Sequence, residues 1–167
     1  MKRILMIAVA MLPLMLMAQA RIGIVNSQNI FELMPEKAAA EAQLKAMSEK
    51  YHDEYELLRG EFDKKYADYQ TVAADASMPE TIKERRVQEL QESDKKLREF
   101  ERRAADDLAA RRTALTQPIT DKIQAAIRAA GEQGGFDLVF DTAVTPVAYT
   151  GANTIDITPM VKSILGL

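Results

Sequence analysis

The fold is decided by residues 44–69, which read LKAMSEKYHDEYELLRGEFDKKYADY. The larger apolar side chains in this stretch recur with a spacing of 3, 4 and 4 residues. Such an 11-residue repeat averages about 3.67 residues per turn, close to the natural helical period, so the stripe stays on one face. The stretch therefore predicts a long, nearly straight amphipathic helix. Its stripe comprises Leu44, Met47, Tyr51, Tyr55, Leu58, Phe62, Tyr66 and Tyr69, followed by Ala73.

A second apolar stripe begins at Leu97, after a short break at residues 75–79. It keeps the same spacing, but basic residues occupy its middle position at Arg111 and Lys122. Because an apolar face of this length is not stable in water on an isolated helix, we expect the second helix to fold back antiparallel on the first. The middle of the chain is thus predicted to be a helical hairpin over residues 39–125, with its tip near residues 75–79.

Several residues mark where these helices should begin and end. Ser77 and Glu80 have the spacing of a capping box, which predicts the start of the second helix. Pro118 predicts a kink, or a helix that restarts with Thr116 as its cap. The glycine-rich residues 131–135 predict the end of the second helix, since glycine readily adopts the left-handed conformation that a C-terminal cap requires.

Both ends of the chain have the composition of strands. Residues 21–25 predict one strand, and residues 136–141 and 144–150 predict two more joined by a turn, with Pro146 at the edge or start of a sheet. Thr158 is expected to cap a short final helix, because a proline follows it at the first helical position.

These features predict an α+β fold, in which residues 21–38 and 126–167 form one small strand-rich body and the hairpin projects from it. A body this small is near the size at which one core is marginal, so we expect association with other copies. Short strand edges are suited to pairing between subunits. The residues expected to build this oligomerisation body are Ile22, Ile24, Val25, Leu138, Val139, Phe140, Val147 and Tyr149.

Residues 1–20 have the pattern of a signal peptide. Lys2 and Arg3 make a basic start, residues 4–17 are apolar, and residues 18–20 read AQA, a small-x-small cleavage site. The apolar run is shorter than the ~20 residues that a membrane-spanning helix needs. We therefore expect cleavage after Ala20 and export of the mature chain to the bacterial periplasm.

Composition excludes several classes of function. The chain has no cysteine, so neither a disulfide framework nor a thiol-based active site is available. Without its leader it has 20 basic and 25 acidic residues, a net charge of −5, which argues against nucleic acid as a partner. Residues 36–76 hold 10 acidic and 6 basic side chains, and residues 80–130 hold 10 and 12, so the two helices carry opposite net charge.

No catalytic, cofactor-binding or metal-binding pattern is present in the sequence. His52 is the only histidine and lies among charged helical residues, where a solvated side chain is expected. Asp137, Asp141 and Asp156 could be considered as metal ligands, but their positions at strand ends favour turn and cap hydrogen bonds. Residues 131–135 lack the preceding strand that a phosphate loop needs. We therefore predict that the protein is not an enzyme and has no cofactor.

Four short motifs around the hairpin carry a resemblance to a known family. They are RIGIVN at residues 21–26, FDLVFD at 136–141, VAY at 147–149 and DIT at 156–158. In this order and spacing the whole mature chain resembles the Skp/OmpH family of periplasmic chaperones.

The resemblance implies a homotrimer in which the strands form a shared body and three hairpins surround a cavity. It also implies an ATP-independent holdase that binds unfolded outer-membrane proteins on their way to the outer membrane. The best-known member of the family is strongly basic, whereas this mature chain is acidic. A transient contact with the membrane surface is nevertheless retained as an expectation.

The aromatic stripe has two interpretations. It can form the seam of the hairpin, as helical spacing usually indicates, or part of it can face a cavity. Tyrosine suits promiscuous binding, because it combines apolar area with a hydroxyl that need not be buried. The candidate client-binding residues are Tyr51, Tyr55, Phe62, Tyr66, Tyr69, Val72, Met78, Ile82 and Val87.

A different class of function is also compatible with the hairpin. The protein could be a structural adaptor of the cell envelope, whose hairpin docks on another helical protein through the tip at residues 75–79. An adaptor of this kind would bind one folded partner and no unfolded client.

Overall fold

A computed structural model describes residues 20–167, so the signal peptide predicted at residues 1–20 lies, except for its last residue, outside the described residues. The elements, in chain order, are β1 (Ile22–Val25), α1 (Ser27–Leu33), α2 (Pro35–Ala74), α3 (Glu80–Gly134), β2 (Leu138–Asp141), β3 (Ile155–Asp156) and α4 (Thr158–Leu165). The chain divides into two compact units. We call Pro35–Pro118 the hairpin unit; the terminal unit contains the described residues up to Met34 together with Ile119–Leu167.

The hairpin unit is built from α2 and the first part of α3, which run antiparallel. The ring of Tyr51 meets that of Phe100 edge to face, with 5.9 Å between centroids. Nearer the start of α2, Gln43 Oε1 accepts a hydrogen bond of 2.7 Å from Arg111 Nη2. Lower residue numbers in α2 thus face higher numbers in α3, as predicted for a hairpin. The predicted stripe on α2 is half-buried at every position except Tyr66 and the terminal Ala73.

The tip of the hairpin is closed by Asp75, and the predicted capping box is wrong. Asp75 Oδ1 accepts hydrogen bonds from Ser77 N at 2.8 Å and from Ser77 Oγ at 2.6 Å. These two bonds lower the pKa of Asp75. Since the Ser77 hydroxyl is committed to Asp75, the start of α3 is stabilised instead by the Pro79 carbonyl, which accepts from the backbone N of Ile82 at 3.0 Å and of Lys83 at 3.3 Å.

The helix restart predicted at Pro118 is also wrong, because α3 continues through Pro118 to Gly134. The hydroxyl of Thr116 donates to the Arg112 carbonyl at 2.9 Å, so Thr116 is an interior helical residue and does not cap a new helix. The end of α3 is as predicted. Gly135 has a φ of 62°, and Phe136 N donates to the Gly131 carbonyl at 3.0 Å, which is the Schellman pattern of a helix C-terminus.

The terminal unit contains a three-stranded sheet in the order β2-β1-β3, with both neighbours parallel to β1. The strands predicted at 21–25 and 136–141 are confirmed by β1 and β2. The strand predicted at residues 144–150 is wrong: this segment forms turns and irregular structure, and the third strand is the two-residue β3. This strand pairs with β1 through Gly23 and Ile24, on the edge opposite β2.

The core of the terminal unit lies between the sheet and its helices. Val25, Ile30 and Val161 are its largest fully buried side chains. The residues of α3 that share this core are Ile119, Ile123, Ala126, Ile127 and Ala130. Asn26 caps α1, since its Oδ1 accepts from Asn29 N at 2.9 Å, and α1 contacts α4.

The cap of α4 differs from the prediction. The N-cap position is occupied by Ile157, so no side chain caps the helix, and Thr158 is its first helical residue. Asp156 Oδ1 accepts from Thr158 N at 2.8 Å. The Thr158 hydroxyl instead accepts from Asn26 N, at 3.4 Å.

Candidate functional site

A groove near the tip of the hairpin brings together residues from both helices. Its volume is about 530 Å³. We call it the tip groove; its lining residues are Tyr69, Ala73, Glu80, Lys83, Glu84, Val87 and Gln88. Tyr69 and Val87 belong to the predicted client-binding set. The polar residues of the groove were missed, although Glu80, Glu84 and Gln88 recur every four residues and so share one helix face.

The other predicted client-binding residues near the tip are Val72, Met78 and Ile82, and each is half-buried. Tyr66 is more accessible, with 45% of its surface exposed. Its ring stacks on that of Phe62 one turn earlier, with 6.3 Å between centroids and 11° between planes. Tyr66 is therefore held in a defined position while it remains open to solvent. Leu57, on the same helix, is 66% exposed.

Tyr51 is engaged within the seam of the hairpin. Its hydroxyl donates to Asp107 Oδ2 at 2.9 Å, and its ring packs on Phe100. Asp107 raises the pKa of Tyr51, because a charged carboxylate that accepts from the phenol favours the protonated form. No local pattern could have predicted this partner, since Tyr51 and Asp107 are 56 positions apart. Tyr55 is half-buried on the same stripe.

The raised pKa of Tyr51 predicts a pH dependence of hairpin stability. The hydrogen bond to Asp107 contributes below the pKa of an unfolded tyrosine, about 10, and is lost as pH rises through the higher folded pKa. In an NMR titration that follows the ring signals of Tyr51, Asp107→Asn should lower the pKa of Tyr51, and Tyr51→Phe assigns those signals by removing them. A pKa of Tyr51 that is unchanged in Asp107→Asn would contradict this assignment.

One face of the sheet in the terminal unit is apolar and incompletely covered. Register pairs Ile22 with Leu138 and Ile24 with Phe140, so these four side chains lie on the same face. Leu138 is 49% exposed, Phe140 is 36% exposed, and both isoleucines are half-buried. We call Ile22, Ile24, Leu138 and Phe140 the open sheet face. All four were predicted to belong to an oligomerisation body.

The remaining predicted body residues have different environments. Val25 is 1% exposed and belongs to the internal core, and Val139 is half-buried on the covered face of the sheet. Val147 and Tyr149 lie in the irregular segment between β2 and β3, where they are 37% and 86% exposed. Val25 and Val139 are therefore covered within the chain, whereas Val147 and Tyr149 remain accessible.

The aspartates of the terminal unit accept hydrogen bonds from backbone nitrogens, and the bond to Asp137 is a long-range one, unlike the turn and cap bonds that were expected. Asp137 Oδ2 accepts from Arg21 N at 2.7 Å. Asp141 Oδ1 accepts from Ser27 N at 3.1 Å and from Ala143 N at 3.0 Å. Within residues 20–167, no group of three or more His, Cys, Asp or Glu side chains could hold a metal ion. The absence of enzymatic activity and of a cofactor stays a prediction.

Two properties of the helices bear on membrane association. None of the described helices combines the length and hydrophobicity that crossing a membrane requires. Paired basic residues at positions 102–103 and 111–112 lie on exposed parts of α3. Contact with a membrane surface stays a prediction.

Comparison with known proteins identifies a matching family and a solved structure with a similar fold. The sequence model of a family described as "Outer membrane protein (OmpH-like)" matches residues 21–165. No curated protein matches. Among solved structures, an OmpH-like protein from Caulobacter crescentus CB15 has a similar fold, with a TM-score of 0.65. Its sequence is 15% identical, and the similarity covers 89% of this chain and 85% of the other.

Proposed function

Because this chain belongs to the family of OmpH-like outer membrane proteins, we propose that it is an ATP-independent holdase chaperone of the bacterial periplasm. Its clients are unfolded outer-membrane β-barrel proteins, which it binds and keeps from aggregating before their assembly into the outer membrane. The family membership, which covers both units of the chain, is the observation that carries this proposal. The similar Caulobacter crescentus protein is provisionally described as an outer membrane chaperone.

Accessible apolar groups on the hairpin unit support client binding. An outer-membrane strand alternates apolar and polar residues, so an unfolded client presents scattered apolar side chains among polar ones. Tyr66 and Leu57 offer exposed apolar surface on α2, and the tip groove combines Tyr69 and Val87 with charged residues. Many weak contacts of this kind suit a protein that must release its client without ATP.

We further propose that the protein is a homotrimer. The open sheet face supports association, because an apolar sheet surface left in water is unfavourable and is commonly covered by another subunit. The number of three comes from the resemblance to the Skp/OmpH family. The expected boundaries of the body, residues 21–38 and 126–167, and of the hairpin, residues 39–125, stay predictions.

The function is tested by diluting a urea-unfolded outer-membrane β-barrel protein into buffer and measuring its light scattering. Stoichiometric amounts of the mature chain should suppress aggregation without ATP. Failure to suppress it would contradict the proposal. Recovery of one folded helical partner, with no binding of the unfolded barrel, would favour the alternative of an envelope adaptor.

The same assay tests the contribution of Tyr66. Tyr66→Ser should raise the chaperone concentration required for half-maximal protection by about fivefold, since the loss of an aromatic contact costs roughly 1 kcal/mol. Gln70→Ser is a matched control, because it introduces the same side chain one turn later on α2 but removes no apolar surface. Equal protection by both variants would remove Tyr66 from the client-binding surface.

A further inference from the structure

Arg21 is joined to the segment before β2 by two reciprocal hydrogen bonds. Its backbone N donates to Asp137 Oδ2 at 2.7 Å, and Asp137 N donates to the Arg21 carbonyl at 3.0 Å. The second bond extends the parallel pairing of β1 with β2 by one residue. The first bond is not part of this strand pairing, because it joins a backbone nitrogen to a side-chain carboxylate.

The side chain of Arg21 strengthens the same attachment. Its Nη1 donates to the carbonyl of Gly134, the last residue of α3, and its guanidinium lies 4.8 Å from the centre of the Phe136 ring. A cation is favourable both at a helix C-terminus and over an aromatic ring. Together the four contacts hold Arg21 at a fixed position beside residues 134–137.

The residue held in this way is the one that follows the small-x-small motif at residues 18–20. We propose that the mature chain begins at Arg21 and that its new α-ammonium group forms an ion pair with Asp137, so that removal of the leader locks β1 against β2. Hydrolysis of the Ala20–Arg21 bond consumes one water molecule and leaves a carboxylate on Ala20 and an ammonium on Arg21.

Cleavage changes the charge of the donor without requiring it to move. In the longer chain, Arg21 N is a neutral amide with one hydrogen, which the Asp137 carboxylate accepts. After cleavage the same atom is an ammonium with three hydrogens and a positive charge. Hydrogen bonds between two charged groups are stronger than those between a neutral donor and a carboxylate. The pair is exposed, so its effect is limited by solvent and decreases as salt is added.

The inference rests on the export that is part of the proposed function, but the two can fail separately. Mass spectrometry of protein purified from the periplasm identifies the first residue, and we expect Arg21. Any other mature N-terminus would overturn the inference, while suppression of client aggregation could still be observed. Conversely, an Arg21 N-terminus without suppression of aggregation would contradict only the holdase.

The ion pair itself is tested by the reactivity of the α-amine. Only the uncharged amine reacts with acetic anhydride, and a carboxylate partner raises the pKa of the amine. At neutral pH we therefore expect trace labelling of the Arg21 amine to be about threefold slower in the wild type than in Asp137→Asn, the size expected for an exposed pair. Equal labelling rates at low salt would overturn the pairing.

A matched chain with Gly-Ser placed before Arg21 separates the charge from the hydrogen bond. This chain keeps the Arg21 amide as a donor to Asp137 but moves the ammonium away. Asp137→Asn should lower the Tm of the mature chain more than that of the extended chain, and equal losses would contradict the proposal. Should Asp137→Asn fail to fold, the extended chain with native Asp137 should still melt below the mature chain, and equal melting would again contradict it.

Discussion

Phe140→Asp is expected to convert the proposed trimer into a single chain that remains folded at low temperature. Phe140 lies on the open sheet face beside Ile24, its partner in the register of β1 and β2. In the proposed trimer this face is covered, so the substitution would bury an unpaired carboxylate, which costs several kcal/mol. A trimer has three interfaces, so this penalty applies three times. It then exceeds the free energy that burial of a small apolar surface contributes. Light scattering should report a mass about one third of the wild-type value.

Leu57→Asp is the control for this experiment. Leu57 is also an exposed apolar residue, at 66%, but it lies on α2 in the hairpin unit. The control introduces the same charge without altering the open sheet face, so its mass should remain that of the wild type. A trimeric Phe140→Asp variant would show that another surface mediates association. A monomeric wild type would contradict the oligomer altogether.

The hairpin could be predicted from sequence because its determinants are local and repeated. The spacing of the apolar residues fixes one helix face, and the break at residues 75–79 leaves few ways to bury two such faces other than against each other. Seam residues such as Leu58 and Phe62 accordingly lie half-buried. The small residues Ser93 and Ala104 of α3 are buried as well.

The failed predictions at Pro118 and at residues 144–150 depended on packing and pairing with parts of the chain distant in sequence. A proline within a helix costs about 3 kcal/mol, which favours a break at Pro118. The helix nevertheless continues, because the buried residues of α3 that follow, among them Ile119 and Ile123, pack only if the helical face is maintained. Residues 144–150 have the composition of a strand, but β1 has only two edges, and these are occupied by β2 and β3. The two residues of β3 are too few to give a periodic signal.

The candidate client-binding surface was likewise predictable from sequence only in part. Sequence spacing places the aromatic residues of α2 on one stripe, but it does not tell which of them are free. That depends on the antiparallel register, which brings Asp107 to the hydroxyl of Tyr51 and leaves Tyr66 accessible. The open sheet face likewise requires the parallel register of β1 and β2, although its four residues could be named in advance as strand residues.

Ile30→Ala is expected to destabilise the terminal unit by about 2–5 kcal/mol, the usual cost of removing a fully buried isoleucine side chain. Ile30 is 0% exposed and lies on α1, a helix of 7 residues that has little stability of its own. Few other large side chains are fully buried in this unit, so the cavity removes a substantial part of its core. Urea unfolding should show a lower midpoint, and the amides of β1 should lose protection from hydrogen exchange before those of the hairpin seam.

Leu33→Ala is the matched control, because it makes the same kind of truncation three residues later on α1, where the side chain is 51% exposed. Its cost should be within about 0.5 kcal/mol. Since the proposed association would also stabilise the folded state, both variants must be measured at two protein concentrations. If Ile30→Ala lowers the free energy of unfolding more than Leu33→Ala does at both concentrations, the difference comes from packing within a single chain. Equal costs would mean that burial of Ile30 does not stabilise the terminal unit, and that association alone holds its small core together.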